Sequence, residues 1–470
     1  ITGMSFAEIS KDKSIIDKAS TFVDSAFDEA LDKLTKLVKI PGIAWPSFDP
    51  GELQRSAEAV KSEFEQLGFF DFVEIRSAPK PDGTQGAPAV LSRRAGNSDA
   101  PHVLLYAHHD VQPPGDRGLW NSEPFEATRV GERLYGRGAS DDKAGIITHV
   151  YALRALATLA EDVRLGVTVF IEGEEEAGSE SFLNFLKENQ TDLEADLIIV
   201  ADSGNWSTEV PSLTASLRGV VSQVFTVKTL DHALHSGMYG GPLPDAMTAM
   251  VKLLGTLTDE AGDVAISGLV SDQTNGPDVS LEQLREESGL LPGVDRMGTK
   301  PVTQQIWGEP AVTIIGFDAP SVAVSSNTAL PEITARVSLR LAPSEDPERG
   351  LQLLREHLTN HAPFGAEVSF GAHEMGPGYF ASKGWASKLG HQILSDVWPK
   401  ESVDIGVGGA IPFISHFAAL FPEAEILVTG VEEPDSRAHS PNESQHLPTL
   451  KRAMTAEAAL LMHGNKMVRK

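Results

Sequence analysis

Tyr106-Ala107-His108-His109-Asp110-Val111-Gln112-Pro113 follows the apolar run Val103-Leu104-Leu105 and reads as the end of a buried strand breaking into a loop. In an extended segment alternate side chains share a face, so His108 and Asp110 point one way and His109 points the other. An imidazole with a carboxylate two positions on is how metal sites hold and orient a histidine ligand. A satisfied strand-end histidine beside a loop-starting aspartate leaves the same short pattern. The rest of the chain weighs against that plainer reading, because it repeatedly sets carboxylates, and one late histidine, at strand ends.

Asp141 and Asp142 stand in Ala139-Ser140-Asp141-Asp142-Lys143, after Leu134-Tyr135-Gly136-Arg137-Gly138 and before a helix through Ile147, Val150, Leu153 and Leu156. An aspartate there also suits an ordinary helix N-cap. Gly166 to Ile171 reads as another buried strand, ending in Glu172-Gly173-Glu174-Glu175-Glu176. So many like charges repel unless solvent or a cation compensates them. Leu197-Ile198-Ile199-Val200 closes on Ala201-Asp202 in the same manner. In α/β sheets ligands gather beyond the carboxyl ends of the strands, which places His108, Asp141, Glu175, Glu176 and Asp202 around one crevice.

Composition narrows the chemistry. A length of 470 residues with 41% hydrophobic content supports two or three domains. The formal charge of −27 argues against nucleic acid or an anionic membrane as partner, and for a small molecule. The absence of cysteine removes disulfides, thiolate metal sites and a cysteine nucleophile, so any metal is held by His, Asp and Glu. No run of about 18 apolar residues and no leader pattern is found, which gives the expectation of a soluble, cytoplasmic protein. Ile1-Thr2-Gly3 before Met4 reads as a cloning remnant.

Along the chain, helices are expected from about Ile15 to Val38 and through Leu53 to Leu67, with strands at Phe72–Ile75 and Ala89–Leu91. The character changes at Leu217-Arg218-Gly219, where Val220 to Val227 alternates like a half-exposed antiparallel strand. The stretch beyond it holds His235-Ser236-Gly237, a helix from Asp245, an acidic loop-rich segment from Asp259 to Gly308, and strands at Val312–Gly316 and Ile333–Leu341. This predicts a small two-layer domain inserted into the first. The expected division is residues 1–218, first part of a catalytic domain; 219–343, the insert; and 344–470, the second part. Gly406 to Pro412 is expected as a flexible turn, and a last helix from about Leu447 to His463.

Six motifs in order resemble the two-zinc peptidase family that includes cytosolic non-specific dipeptidase and carnosinase, aminoacylase, acetylornithine deacetylase and succinyl-diaminopimelate desuccinylase. They are His108-x-Asp110-Val-Gln-Pro, Gly136-Arg137-Gly138 to Asp141-Asp142-Lys143, Glu172-Gly-x-Glu175-Glu176-x-Gly178-Ser179, Asp202, His235-Ser236-Gly237, and Ala438-His439-Ser440-x-Asn442-Glu443. The resemblance implies an α/β fold, a mixed-sheet zinc-peptidase catalytic domain split by an α+β lid and dimerisation domain. It implies two divalent metal ions, most suitably zinc, with manganese or cobalt as alternatives. Asp141 would bridge them, His108 and Asp202 would complete one, and Glu176 and His439 the other. Asp110 would tune His108, and Glu175 would act as general base and acid. His235, contributed by the other subunit of a homodimer joined through the lid, would donate to the oxyanion, and Arg340 would bind the substrate carboxylate. Gly409 would line the substrate site. Relatives commonly have a cis peptide after the bridging aspartate, so one is expected between Asp141 and Asp142.

One stretch departs from the family. Dipeptidase relatives typically carry Arg-Glu-Gly-Gly-Ser-Ile-Pro where this chain has Gly406-Val407-Gly408-Gly409-Ala410-Ile411-Pro412, without the acid and the serine. The Val-Gln-Pro after Asp110 and the length favour the dipeptidase branch. The expected function is hydrolysis of a dipeptide amide bond, with an N-acyl amino acid deacylase as the alternative. A metal-binding relative without turnover is the third reading, and retention of Glu175 argues against it.

Overall fold

The computed structural model describes residues 12–381 and 383–470, so Ile1-Thr2-Gly3 lie outside the described residues. Two compact units emerge: one comprises the chain up to Ala215 with Ala381–Asp404 and Pro412–Lys470, the other Ser216–Phe380 with Ile405–Ile411.

The first unit is built on a six-stranded sheet whose strands lie in the order Phe72–Arg76, Ala89–Arg94, Gly166–Glu172, His102–His108, Leu197–Gly204, Glu425–Glu432. Ala89–Arg94 runs antiparallel to both neighbours and the remaining pairs are parallel, which makes the sheet mixed. Val103 through Ala107 are all buried, as a central strand covered on both faces requires. The helix Lys143–Leu159 packs on this strand and against the helices Lys13–Val38 and Leu447–Lys466. It is apolar nearly all round because Ile147, Val150 and Leu153 join Leu105, Val169 and Ile199 in one core. Parallel register sets His108 level with Glu172 on one side and Tyr106 level with Val200 on the other. Asp202, two residues past Val200, therefore emerges beside His108 at the carboxyl edge.

The second unit holds a four-stranded antiparallel sheet in the order Ala311–Asp318, Glu332–Leu341, Gly219–Lys228, Glu367–Gly376. Ile333, Ala335, Val337, Leu339 and Leu341 alternate onto the core face with Val221, Phe225 and Val227. The helices Ala246–Gly255 and Pro347–Asn360 cover that face through Met250, Leu253, Leu354 and Leu358. This is the small two-layer α+β body expected, but its extent differs. The break placed at Pro343 falls inside the unit, which runs on to Phe380 and also takes in Ile405–Ile411. Packing is the reason: Glu367–Gly376 pairs with Gly219–Lys228 and completes the sheet. The flexible turn expected from Gly406 to Pro412 is shorter: Gly406 and Val407 end the strand Val403–Val407 and Pro412 opens the helix Pro412–Leu420, while a Cβ on Gly406 would lie 2.5 Å from Trp307 Cγ of the same unit.

The loop-rich segment contains the helices Leu281–Ser288 and Val302–Trp307. The first buries none of its residues, so it left no apolar stripe in the sequence. The short strands Thr128–Val130, Arg133–Tyr135 and Ser444–His446, which form a three-stranded sheet, were too brief to show a period. Among the described residues, no helix is long and apolar enough to cross a membrane.

At the amino edge of the central strand, His102 Nε2 lies 2.7 Å from Thr168 Oγ1 and 3.1 Å from Arg93 Nη1. Burial, with the charges of Arg93 and Arg469, pushes its pKa from 6.5 down to about 3. A histidine kept neutral binds fewer protons folded than unfolded, so its stabilisation is full above pH 6.5 and is lost as the pH falls toward about 3. His102→Gln should flatten the loss of stability across that window. Urea unfolding of metal-free protein at a series of pH values checks this, and an equally steep loss in the variant would refute it.

Candidate active site

The candidate ligands other than His439, which stands in the loop between the strands Glu425–Glu432 and Ser444–His446, sit near the ends of regular elements. His108 closes the central strand, Asp202 lies in the adjacent one, and Asp141 stands two residues ahead of the helix Lys143–Leu159. Glu175 and Glu176 open a single helical turn, Glu175–Ala177, just beyond the strand Gly166–Glu172. His108 Nε2 lies 3.1 Å from Asp141 Oδ1, 3.2 Å from Asp202 Oδ1 and 3.7 Å from Glu175 Oε2. Asp141 Oδ2 is 3.0 Å from His439 Nε2, which is 3.2 Å from Glu176 Oε2. One carboxylate thus faces two imidazoles, one oxygen to each. The Asp141–Asp142 peptide is cis, as the resemblance implied.

Asp110 stands behind His108, its Oδ1 3.3 Å from Nδ1. The same carboxylate accepts the backbone N–H groups of Glu175 at 3.2 Å and Glu176 at 3.0 Å. The residue that orients the imidazole therefore also anchors the turn carrying both glutamates, a task with no local sequence signal. Asp142 is the residue before the helix, yet its side chain makes no cap and instead accepts the His108 N–H at 3.2 Å. His109 turns the opposite way, as alternation requires. Its Nε2 donates to the Pro88 carbonyl at 2.7 Å, and its Nδ1 lies 3.0 Å from Ser56 Oγ, which also accepts from Lys143 Nζ at 2.7 Å. Burial, then the charge of Lys143, pushes the His109 pKa down to about 4, so this ring is neutral.

The ionisation pattern reports an excess of negative charge. Burial, followed by the carboxylates of Asp202, Glu176 and Asp141, pushes the Glu175 carboxyl well above its ordinary range. Glu176 is pushed up to about 8 by burial and then by Asp141. Burial opposes charging of His108, but Asp202 and the hydrogen bonds to Asp110 and Asp141 outweigh it and raise its pKa strongly. His439 rises to about 10 through its bonds to Asp141 and Glu176.

Divalent cations fit this site. Ligand atoms of His108, Glu175 and Asp202 lie within 4.8 Å of one another, as do those of His108, Asp141 and Glu176. Glu176 Oε1 is buried with no hydrogen-bond partner. Imidazole nitrogen with carboxylate oxygen suits zinc and its neighbours.

His235, Arg340 and Gly409 belong to the other unit. His235 is exposed, and its Nδ1 accepts the Gly237 N–H at 3.0 Å. Arg340 lies on the sheet face away from the core, opposite Val220. Nothing lies within 4 Å of where a Gly409 Cβ would be. Arg137 and Glu443, motif residues to which the sequence assigned no task, form a buried ion pair at 2.8 Å.

A mixed sheet with two imidazole–carboxylate clusters sharing one aspartate at its carboxyl edge defines a metal-dependent hydrolase. The model of peptidase family M20/M25/M40 matches residues 104–463. The chain belongs to this family. It is 31% identical over 415 residues to the cysteinylglycine-S-conjugate dipeptidase of Corynebacterium striatum, covering 87% of this chain and 90% of that one. The Cys-Gly metallodipeptidase dug1 of Schizosaccharomyces pombe is 27% identical, with 93% and 95% covered. The solved di-peptidase Dug1p of Saccharomyces cerevisiae shares the fold with a TM-score of 0.78 at 22% identity, covering 96% of this chain and 98% of that one.

Adding zinc or manganese to chelator-treated protein should raise its stability, by about 2.7 kcal/mol at a hundredfold excess over Kd. Asp141→Asn should lose most of that gain. Scanning calorimetry with and without metal reads it, and an undiminished gain in the variant would exclude Asp141 as a ligand.

Proposed function

We propose that the protein hydrolyses the amide bond of dipeptides with two divalent ions, His108 and Asp202 holding one, Glu176 and His439 the other, and Asp141 bridging them. The observation that carries this reading is Asp141, whose two oxygens address His108 and His439 separately at 3.1 and 3.0 Å. Zinc is the ion we assign, with manganese and cobalt compatible with the same donors. When bound, the ions would polarise the scissile carbonyl and lower the pKa of a water molecule.

The chain's own groups do the rest. Glu175 lies beside the ligand Glu176 but farther from His108 than Asp141 or Asp202, at 3.7 Å. It takes a proton from the attacking water and passes it to the leaving amine. Asp110 holds His108 Nδ1, through its backbone carbonyl at 2.9 Å and its carboxylate at 3.3 Å, so that Nε2 faces the centre. Arg340 offers a planar two-donor fork to the substrate carboxylate, Gly409 leaves room for the substrate backbone, and His235 donates to the oxyanion. The working unit is a homodimer joined through the second unit, with His235 of the partner subunit completing each site.

Dipeptides are favoured by the names of the relatives. A deacylase of N-acyl amino acids is the second reading, because Gly406 to Pro412 lacks the acid and serine of dipeptidase relatives. A panel of free dipeptides and N-acetyl or N-succinyl amino acids, assayed with zinc, manganese and cobalt, should show faster turnover of the free dipeptides. Turnover confined to the N-acyl compounds would overturn the assignment.

Glu175→Gln should lower turnover by about 10²–10⁴-fold while metal content is unchanged. Near-normal turnover in that variant would sink the role of Glu175. Mixing inactive Glu175→Gln chains with inactive His235→Ala chains should restore part of the activity, since a heterodimer would hold one intact site. No recovery in verified heterodimers rules out the shared site.

A further inference from the structure

Arg137 and Glu443 are 306 residues apart in sequence and each side chain is 1% exposed. Glu443 divides its oxygens between two tasks. Oε1 accepts Arg137 Nη1 at 2.8 Å. Oε2 accepts the N–H groups of Gly138 at 3.1 Å, Ser140 at 3.0 Å and Asp141 at 3.0 Å, and the Ser140 hydroxyl at 3.2 Å. The Glu443 carbonyl accepts the Gly136 N–H at 3.0 Å, and the next residue, Ser444, pairs with Tyr135. Arg137 donates in turn to the carbonyls of Ser440 at 3.1 Å and Pro113 at 3.2 Å.

These bonds join three loops: the one following His108, the one leading into Asp141, and the one from His439 to Glu443. Stability alone does not account for such an arrangement, because a buried ion pair is often no more stabilising than well-packed apolar residues of similar volume. The directions of the bonds account for it better. Three backbone amides of one loop are held by one oxygen, the last being the amide of the residue whose carboxylate faces both imidazoles. His439 itself sits at a φ of +67°, a conformation that needs its surroundings to hold it. The charge of Glu443 is met by Arg137, so the pair supplies orientation to a site already crowded with carboxylates without adding net charge.

We infer that Glu443 is a positioning residue of the metal centre: it fixes the Asp141 backbone against the loop of His439 and so sets the separation of the shared carboxylate from the second imidazole. This rests on the ligand set proposed above. Replacing an outer partner of a metal ligand typically lowers metal affinity by about 10–100-fold.

The test is cobalt(II) titration of metal-free full-length protein, followed by calorimetry and visible absorption, for the wild type, Glu443→Asp and Glu443→Gln. Glu443→Asp keeps the charge opposite Arg137 and shortens the reach by one methylene, whereas Glu443→Gln keeps the reach and removes the charge. The wild type should bind two ions per chain. Glu443→Asp should weaken one of the two sites by about 10–100-fold and shift the absorption band, with the circular dichroism of the folded chain retained. Glu443→Gln, where it folds, should weaken the same site. Wild-type affinity and spectrum in Glu443→Asp would overturn the inference whatever its thermal stability, and would do so even if Glu443→Gln failed to fold. Fewer than two cobalt ions on the wild type would instead overturn the two-metal reading, and this inference with it.

Discussion

Asp141 sits with Glu175, Glu176 and Asp202 at the buried edge of one sheet, balanced by two imidazoles, and the rest of the structure follows from that crowding. Carboxylates so close and so dry cannot all be ionised without a compensating cation. The upward shifts of Glu175 and Glu176 and of both histidines are one effect seen from opposite sides. A divalent ion in each cluster would remove the conflict, and its charge would be available for work on a carbonyl and a water.

Holding this arrangement takes a scaffold that does not yield. The parallel strands deliver His108 and Asp202 level with each other by register alone. The remaining donors come from loops, and carboxylates tie the backbone around them. Asp110 accepts the two amides of the glutamate turn, Asp142 accepts the amide of His108, and Glu443 accepts the amides that lead into Asp141. Negative groups thus have two parts in this site, some as the proposed metal donors and others as anchors for the backbone that carries them. Arg137, buried against Glu443, keeps that anchor from adding to the charge problem.

The second unit follows a simpler rule. Alternation along Glu332–Leu341 sends apolar residues to the helices and polar ones, Arg340 among them, to the opposite face. An arginine on that face, an exposed histidine and a glycine with open space around it are the groups we propose to meet a substrate.

Much of this was legible in the order of residues. The period of two along Tyr106 to Asp110 set His108 and His109 on opposite faces, the family resemblance pointed to His108 as the ligand, and apolar runs ending in carboxylates marked the carboxyl edge of a sheet. The six motifs together pointed to the family. Local pattern could not show that Asp110 anchors the glutamate turn, that Glu443 reaches Asp141 from 302 residues away, or that the strand Glu367–Gly376 completes the sheet of the second unit. Those facts rest on hydrogen bonds between segments far apart in the chain, which leave no period and no spacing behind. The sequence by itself determined which residues could carry the chemistry, because side-chain type and strand alternation are local properties. Only the tertiary structure decided which of them meet and what holds them there, because that depends on how distant loops are brought to one edge of the sheet.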